Sequence, residues 1–101
     1  MTKYLKIAGK EMPVKYGFAA LMEFTDMAGL TMNQLESLGD NMSLKTAVTL
    51  IWCGFKHGAR AEKKSFDMTI DDVADLLDDD LQAMEKVLAV FGDSFAQEEK
   101  K

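Results

Sequence analysis

At 101 residues the chain has room for one domain with one modest core, and a hydrophobic content of 48% excludes a disordered polymer. A net charge of -5 excludes a general binder of nucleic-acid backbone, which needs clustered Lys and Arg. No apolar run approaches the roughly 20 residues of a membrane span, and the single cysteine, Cys53, excludes an intrachain disulfide framework and fits a reducing cytoplasm.

The charge is uneven. Residues 1–64 carry nine Lys/Arg against six Asp/Glu, a net +3, and residues 65–101 carry three Lys against eleven Asp/Glu, a net -8. A solvated acidic face accounts for this, and so does self-association through opposite ends. The opening residues Met1 to Lys6 have no continuous apolar stretch of signal-peptide type.

Tyr4 to Ala8 alternates, with Leu5 and Ile7 on one side and Tyr4 and Lys6 on the other. Gly9-Lys10-Glu11 turns the chain, and Met12, Val14 and Tyr16 then share a face. This predicts a β-hairpin over about 4–16, with Pro13 giving the second strand an edge or an irregular start. Helices follow over about 17–96, and residues 97–101 should fray. The fold class is therefore a single, mostly α domain of four to five helices behind an N-terminal hairpin.

The first helix is predicted over Phe18 to Ala28 and ends at Gly29. Its apolar face is wide enough to need cover on more than one side. Thr31 and Gln34 are spaced as a capping box, with Leu30 and Leu35 as the hydrophobic staple of a second helix. Gly39-Asp40-Asn41 makes a turn, and Ser43 caps a third helix over Leu44 to His57. Its core stripe is Leu44, Ala47, Val48, Ile51 and Phe55; Lys45, Thr49, Trp52 and Lys56 occupy the other side. Trp52 is then either covered by the hairpin or a partner contact.

Gly58 to Asp67 is predicted as a polar connection. The box and staple recur at Thr69/Asp72 and Met68/Val73, opening a helix that buries Ile70, Val73, Ala74 and Leu77. Asp79 with Gln82 opens the last helix, with a stripe of Leu81, Met84, Leu88, Phe91 and Phe95; Gly92 kinks or ends it.

Little chemistry is laid over these elements. Cys53 and His57 share a helical face but are the only Cys and His, too few for an ordinary zinc site. The same scarcity argues against Cys-His nucleophilic catalysis. Asp78-Asp79-Asp80 lacks the glycine and distal glutamate of a calcium loop and suits a helix end. Gly92-Asp93-Ser94 is similar to the pantetheinylated pair of carrier proteins, but its place near the chain's end is wrong for that family. No cofactor and no metal are expected. The eight methionines suit core filling; a functional version is an adaptable partner-binding groove lined by Met22, Met27, Met32, Trp52 and Phe55.

Several segments together resemble the tail assembly chaperones of long-tailed bacteriophages and prophages. They are Ile7-Ala8-Gly9, the junction Val14-Lys15-Tyr16-Gly17-Phe18-Ala19-Ala20-Leu21, and Leu30-Thr31-Met32-Asn33-Gln34-Leu35. Leu50-Ile51-Trp52-Cys53-Gly54-Phe55 and Thr69-Ile70-Asp71-Asp72-Val73-Ala74-Asp75-Leu76-Leu77 complete the set, so the likeness spans about residues 4–91. The resemblance implies a non-enzymatic protein of the host cytoplasm that is left out of the mature virion. It would bind and solubilise the tape-measure protein during tail morphogenesis, then give way to the tail-tube protein. Self-association into an open helical oligomer fits that role, since a contact that does not close propagates. In many members a ribosomal frameshift adds an extension, and Glu98-Glu99-Lys100-Lys101 is compatible with an A-rich slippery codon run. The alternative is a small acidic adaptor or inhibitor of a host protein.

Overall fold

The computed structural model describes residues 2–36, 38 and 42–99, and their side chains except those of Glu36 and residues 95–99. The expected turn at Gly39-Asp40-Asn41 and the side chain of Phe95 lie outside the described residues.

The chain opens with an antiparallel hairpin, β1 (Lys3–Ile7) and β2 (Lys10–Val14), in a register that pairs Lys3 with Val14, Leu5 with Met12 and Ile7 with Lys10. The turn is tighter than the predicted Gly9-Lys10-Glu11. Ala8 and Gly9 make it alone, both at positive φ (51° and 82°). That mirror-image turn matches the right-handed twist of the strands. The strands start and end earlier as a result, and Tyr16 lies beyond the sheet. Ile7 and Val14 are buried while Tyr4 and Lys6 stay exposed, as the alternation predicts. The sheet has two strands among the described residues, so Pro13 costs no ladder bond to a third.

Among the described residues five helices follow: α1 (Phe18–Ala28), α2 (Met32–Glu36), α3 (Leu44–Ala61), α4 (Ile70–Asp79) and α5 (Ala83–Glu99). The protein is therefore mostly helical behind an N-terminal β-hairpin. Gly29 ends α1 in the left-handed conformation, and Leu30 N–H reaches back 3.0 Å to the Thr25 carbonyl. Both capping boxes form. Thr31 and Gln34 exchange bonds of 2.8 and 3.3 Å, and Thr69 and Asp72 bonds of 3.0 and 3.1 Å. Ser43 accepts from the Thr46 amide at 3.1 Å.

Helix α3 is the central element: the hairpin, α1, α4 and α5 all pack on it. It runs past His57 to Ala61, where a polar connection was expected to begin at Gly58. Gly58 lies inside the helix, and its lack of a side chain lets β2 lie against it. A Cβ on Gly58 would overlap the Pro13 carbonyl, and one on Gly54 would collide with the Tyr16 ring. The glycines are points of close approach. Lys15 N–H donates to the Gly54 carbonyl at 3.1 Å, and the Tyr16 hydroxyl donates to Leu50 O at 2.7 Å. Tyr16 also meets Phe91 of α5 edge-on at 5.3 Å. One aromatic side chain thus ties the junction, α3 and α5 into the core.

Three further expectations change. Helix α1 buries only Ala20, Leu21 and Phe24, and Phe18 and Met22 remain 72% and 70% exposed, so it is covered on one side only. Helix α5 begins at Ala83 rather than just after Asp79, and continues through Gly92 to Glu99, into the stretch expected to fray. Asp79 closes α4; Asp80 is the carboxylate that accepts from the Gln82 amide, at 3.2 Å. The buried stripe of α5 is Ala83, Val87, Val90 and Phe91, leaving Leu81 exposed.

Candidate functional site

An apolar groove of about 550 Å³ runs between the N-terminal half of α3, α4 and the turn into α5. Capping positions its walls. The Ser43 cap starts α3 so that Leu44 and Val48 fall on the groove side, one turn apart. The Thr69/Asp72 box starts α4 so that Ile70, Ala74 and Leu77 recur at helical spacing along the facing wall. Asp80 ends α4 by accepting the Ala8 amide at 3.0 Å and the Gln82 amide, and the turn that follows carries Leu81 to the rim. Donation from Ala8 holds the Asp80 carboxyl below the usual carboxylate range, against a smaller opposing effect of desolvation. Leu81 is 84% exposed and Leu44 70%, and the edge carries Asp71 and Asp78 opposite Lys45. Two projecting leucines, an apolar floor and a mainly acidic edge can receive an apolar helix face flanked by basic residues.

Sequence reasoning placed Leu44 and Leu81 in core stripes and so missed this groove. The signal was ambiguous. Of the expected stripe Phe91 is buried, Met84 and Leu88 are half-buried against the core, and Leu81 falls in the turn before α5, while Ala83, Val87 and Val90 have equally good helical spacing and complete the buried face. On α3 the small buried Cys53, Gly54 and Ala59 widen the core face and rotate it away from Leu44.

The five predicted partner-binding residues do not line one groove. Met22, Met27 and Met32 are exposed on α1 and α2, and Met22 borders a shallow depression with Asp26 and Leu30. Phe55 is only 1% exposed and lies in the core. Trp52 is half-buried. Its Nε1–H donates to the Met68 carbonyl at 2.8 Å, Phe66 meets its ring edge-on at 5.9 Å, and the Lys56 ammonium lies 5.0 Å from the ring. The connection before α4 covers Trp52, where the sequence reading offered the hairpin or a partner.

The pair Cys53 and His57 has a neighbour in Glu23 of α1. Its carboxylate accepts from Lys56 Nζ and from His57 Nε2–H, each at 2.7 Å. Burial pushes the Glu23 pKa up, and the two donors outweigh it and leave the carboxyl lowered. Cys53 is fully buried, and burial first, then the Glu23 charge, pushes its thiol up to about 12. His57 Nδ1 has no partner among the described residues, so no hydrogen bond links it to the thiol. The geometry is a partly buried clamp between α1 and α3 rather than a nucleophile with its base. Asp78 and Asp79 sit on the last turn of α4, and Ser94 donates to the Val90 carbonyl within α5 at 3.1 Å. Among the described residues no three His, Cys, Asp or Glu side chains converge as for a metal, and no helix is long and apolar enough to cross a membrane.

Comparison with family models, curated proteins and solved structures returns no match to this chain.

Proposed function

We propose that this protein is a phage or prophage tail assembly chaperone, acting without catalysis to bind and solubilise the tape-measure protein. The observation that supports this best is the open groove flanked by Leu44 and Leu81, with Val48, Ile70, Ala74, Leu77 and Met84 along it. A long helical client offers repeated apolar faces, and a small domain with one adaptable groove binds each weakly and many in sequence. Met84 in the groove and exposed Met22, Met27 and Met32 elsewhere supply deformable contact surface. The segment order and the Tyr16-Gly17-Phe18-Ala19-Ala20-Leu21 junction that carry the resemblance support the same reading. The tail-tube protein is then the second partner, taking the client over as the tube polymerises.

The test is co-expression with a tape-measure protein. The client should be soluble with the wild-type chain and insoluble without it. Leu81→Asp should remove that protection and leave the chaperone folded, because an 84% exposed side chain contributes little to the core. Equal insolubility with and without the wild-type chain ends the proposal. Solubilisation that survives both Leu81→Asp and Leu44→Asp moves the client to another face.

A further inference from the structure

Helix α1 presents a second open apolar surface. Its buried residues, Ala20, Leu21 and Phe24, face inward, and α1 packs on α3. Phe18, Ala19 and Met22 lie on the opposite side, with Asp26 one turn beyond Met22. Among the described residues no element covers that side: Phe18 and Met22 are 72% and 70% exposed. Charge marks both ends of the stripe. Lys15 and Arg60 stand beside Phe18 around one depression, and Asp26 is exposed at the far end.

The groove between α3, α4 and the turn into α5 has the reverse arrangement. Leu44 and Leu81 project beside its apolar floor, and its edge carries Asp71 and Asp78 opposite Lys45. The stripe therefore offers two cations and an anion, and the groove edge two anions and a cation. None of these six has an ion-pair partner among the described residues. Phe18 to Asp26 spans about 12 Å of helix and Asp71 to Asp78 about 10 Å, so the two surfaces run a similar length. Glu23 clamps α1 to the C-terminal half of α3, whereas the groove lies along the N-terminal half. A copy cannot seat α1 in its own groove.

We propose that α1 of one copy docks in the groove of a second copy. Phe18 and Met22 pack beside Leu44 and Leu81, Lys15 and Arg60 meet Asp71 and Asp78, and Asp26 meets Lys45. The contact is heterologous: each copy keeps a free stripe at one end and a free groove at the other, so association continues past the dimer. An 11-residue helix in one groove belongs with weak contacts, below about 1,200 Å² of buried surface. A neighbour's α1 and a client helix then compete for the same groove. That competition rests on the function proposed above; the contact between copies does not.

The experiment is sedimentation velocity on the chain alone at low salt, over a concentration series. Wild type should form species larger than a dimer as concentration rises. Phe18→Asp and Leu81→Lys should each weaken association at least ten-fold, because each sets a charge against like charges on the other surface. An equimolar mixture of the two should form a 1:1 dimer and nothing larger, since one keeps its groove and the other its stripe. Both positions are exposed, so circular dichroism should match wild type; Met22→Asp and Leu44→Lys repeat the pair if either loses its fold. In co-expression Phe18→Asp should solubilise a client at least as well as wild type, because its grooves are free. Loss of that protection in a folded Phe18→Asp chain ends the competition and assigns α1 to the client. A wild-type monomer at millimolar concentration, a species that stops at the dimer, association that survives both substitutions, or monomeric variants that fail to pair would each overturn the contact.

Discussion

Glu23 shows how much one side chain can hold. It is about a quarter exposed and joins α1 to α3 through Lys56 and His57. Its folded pKa is lowered, so its contribution is fully present above the unfolded carboxylate value and fades as pH falls through the folded one. Asp80 adds to the same acid limb, because its carboxyl is lowered too. Glu23→Gln should cost about 1–2 kcal/mol at neutral pH, the order of charged hydrogen bonds lost. Denaturant melts at several pH values should show a flatter acid limb in the variant; an unchanged limb would assign the acid sensitivity elsewhere. Gly58 offers a test by sign. Alanine in a helix interior ordinarily gains about 1 kcal/mol over glycine. Here its methyl overlaps the Pro13 carbonyl, so Gly58→Ala should instead destabilise by about 1–3 kcal/mol, read by thermal or chemical denaturation. Ala8 sits at φ 51°, which asparagine tolerates better. Ala8→Asn should therefore stabilise by up to about 1 kcal/mol, and the same melts would register it.

At the scale of elements, helix ends were the most legible part of the chain. Capping is local chemistry: a hydroxyl, an amide three residues on and a side chain that reaches back. Thr31/Gln34 and Thr69/Asp72 form as their spacing predicts. Thr69→Ala should cost about 1 kcal/mol, measurable by denaturation, and should loosen the Ile70–Leu77 wall of the groove. The last helix start was harder to read. Asp79 and Asp80 are both competent caps, and a long-range bond from the Ala8 amide to Asp80 accompanies the start at Ala83. The far end of α3 was misread for a related reason. Gly58 and polar Arg60 look like a helix stop until β2 is laid across them.

On the scale of the whole molecule, unequal charge and unequal apolar exposure coexist. The groove edge carries Asp71 and Asp78 in the acidic C-terminal part, while Lys15 and Arg60 stand near α1 in the basic part. If copies associate through these opposite faces, the sedimentation coefficient should rise with protein concentration at low salt and fall back as salt screens the charges. A monomer at every salt and concentration would remove self-association and leave a client-bound coat to be built by the client alone.

The sequence by itself determined the hairpin-then-helices order, the caps at Thr31, Ser43 and Thr69 and the buried alternation of the hairpin, because each rests on groups within a few residues of one another. Tertiary structure alone decided that Ala83, Val87 and Val90 join Phe91 in the buried face of α5, how Trp52 was covered, and why Gly54 and Gly58 are small. It also separated Phe55 from the exposed methionines and brought Glu23 to His57 across 34 residues of chain. The physical reason is that burial is a relation between faces. Periodicity marks a surface as apolar, but only packing against α3 selects the surface that loses its water.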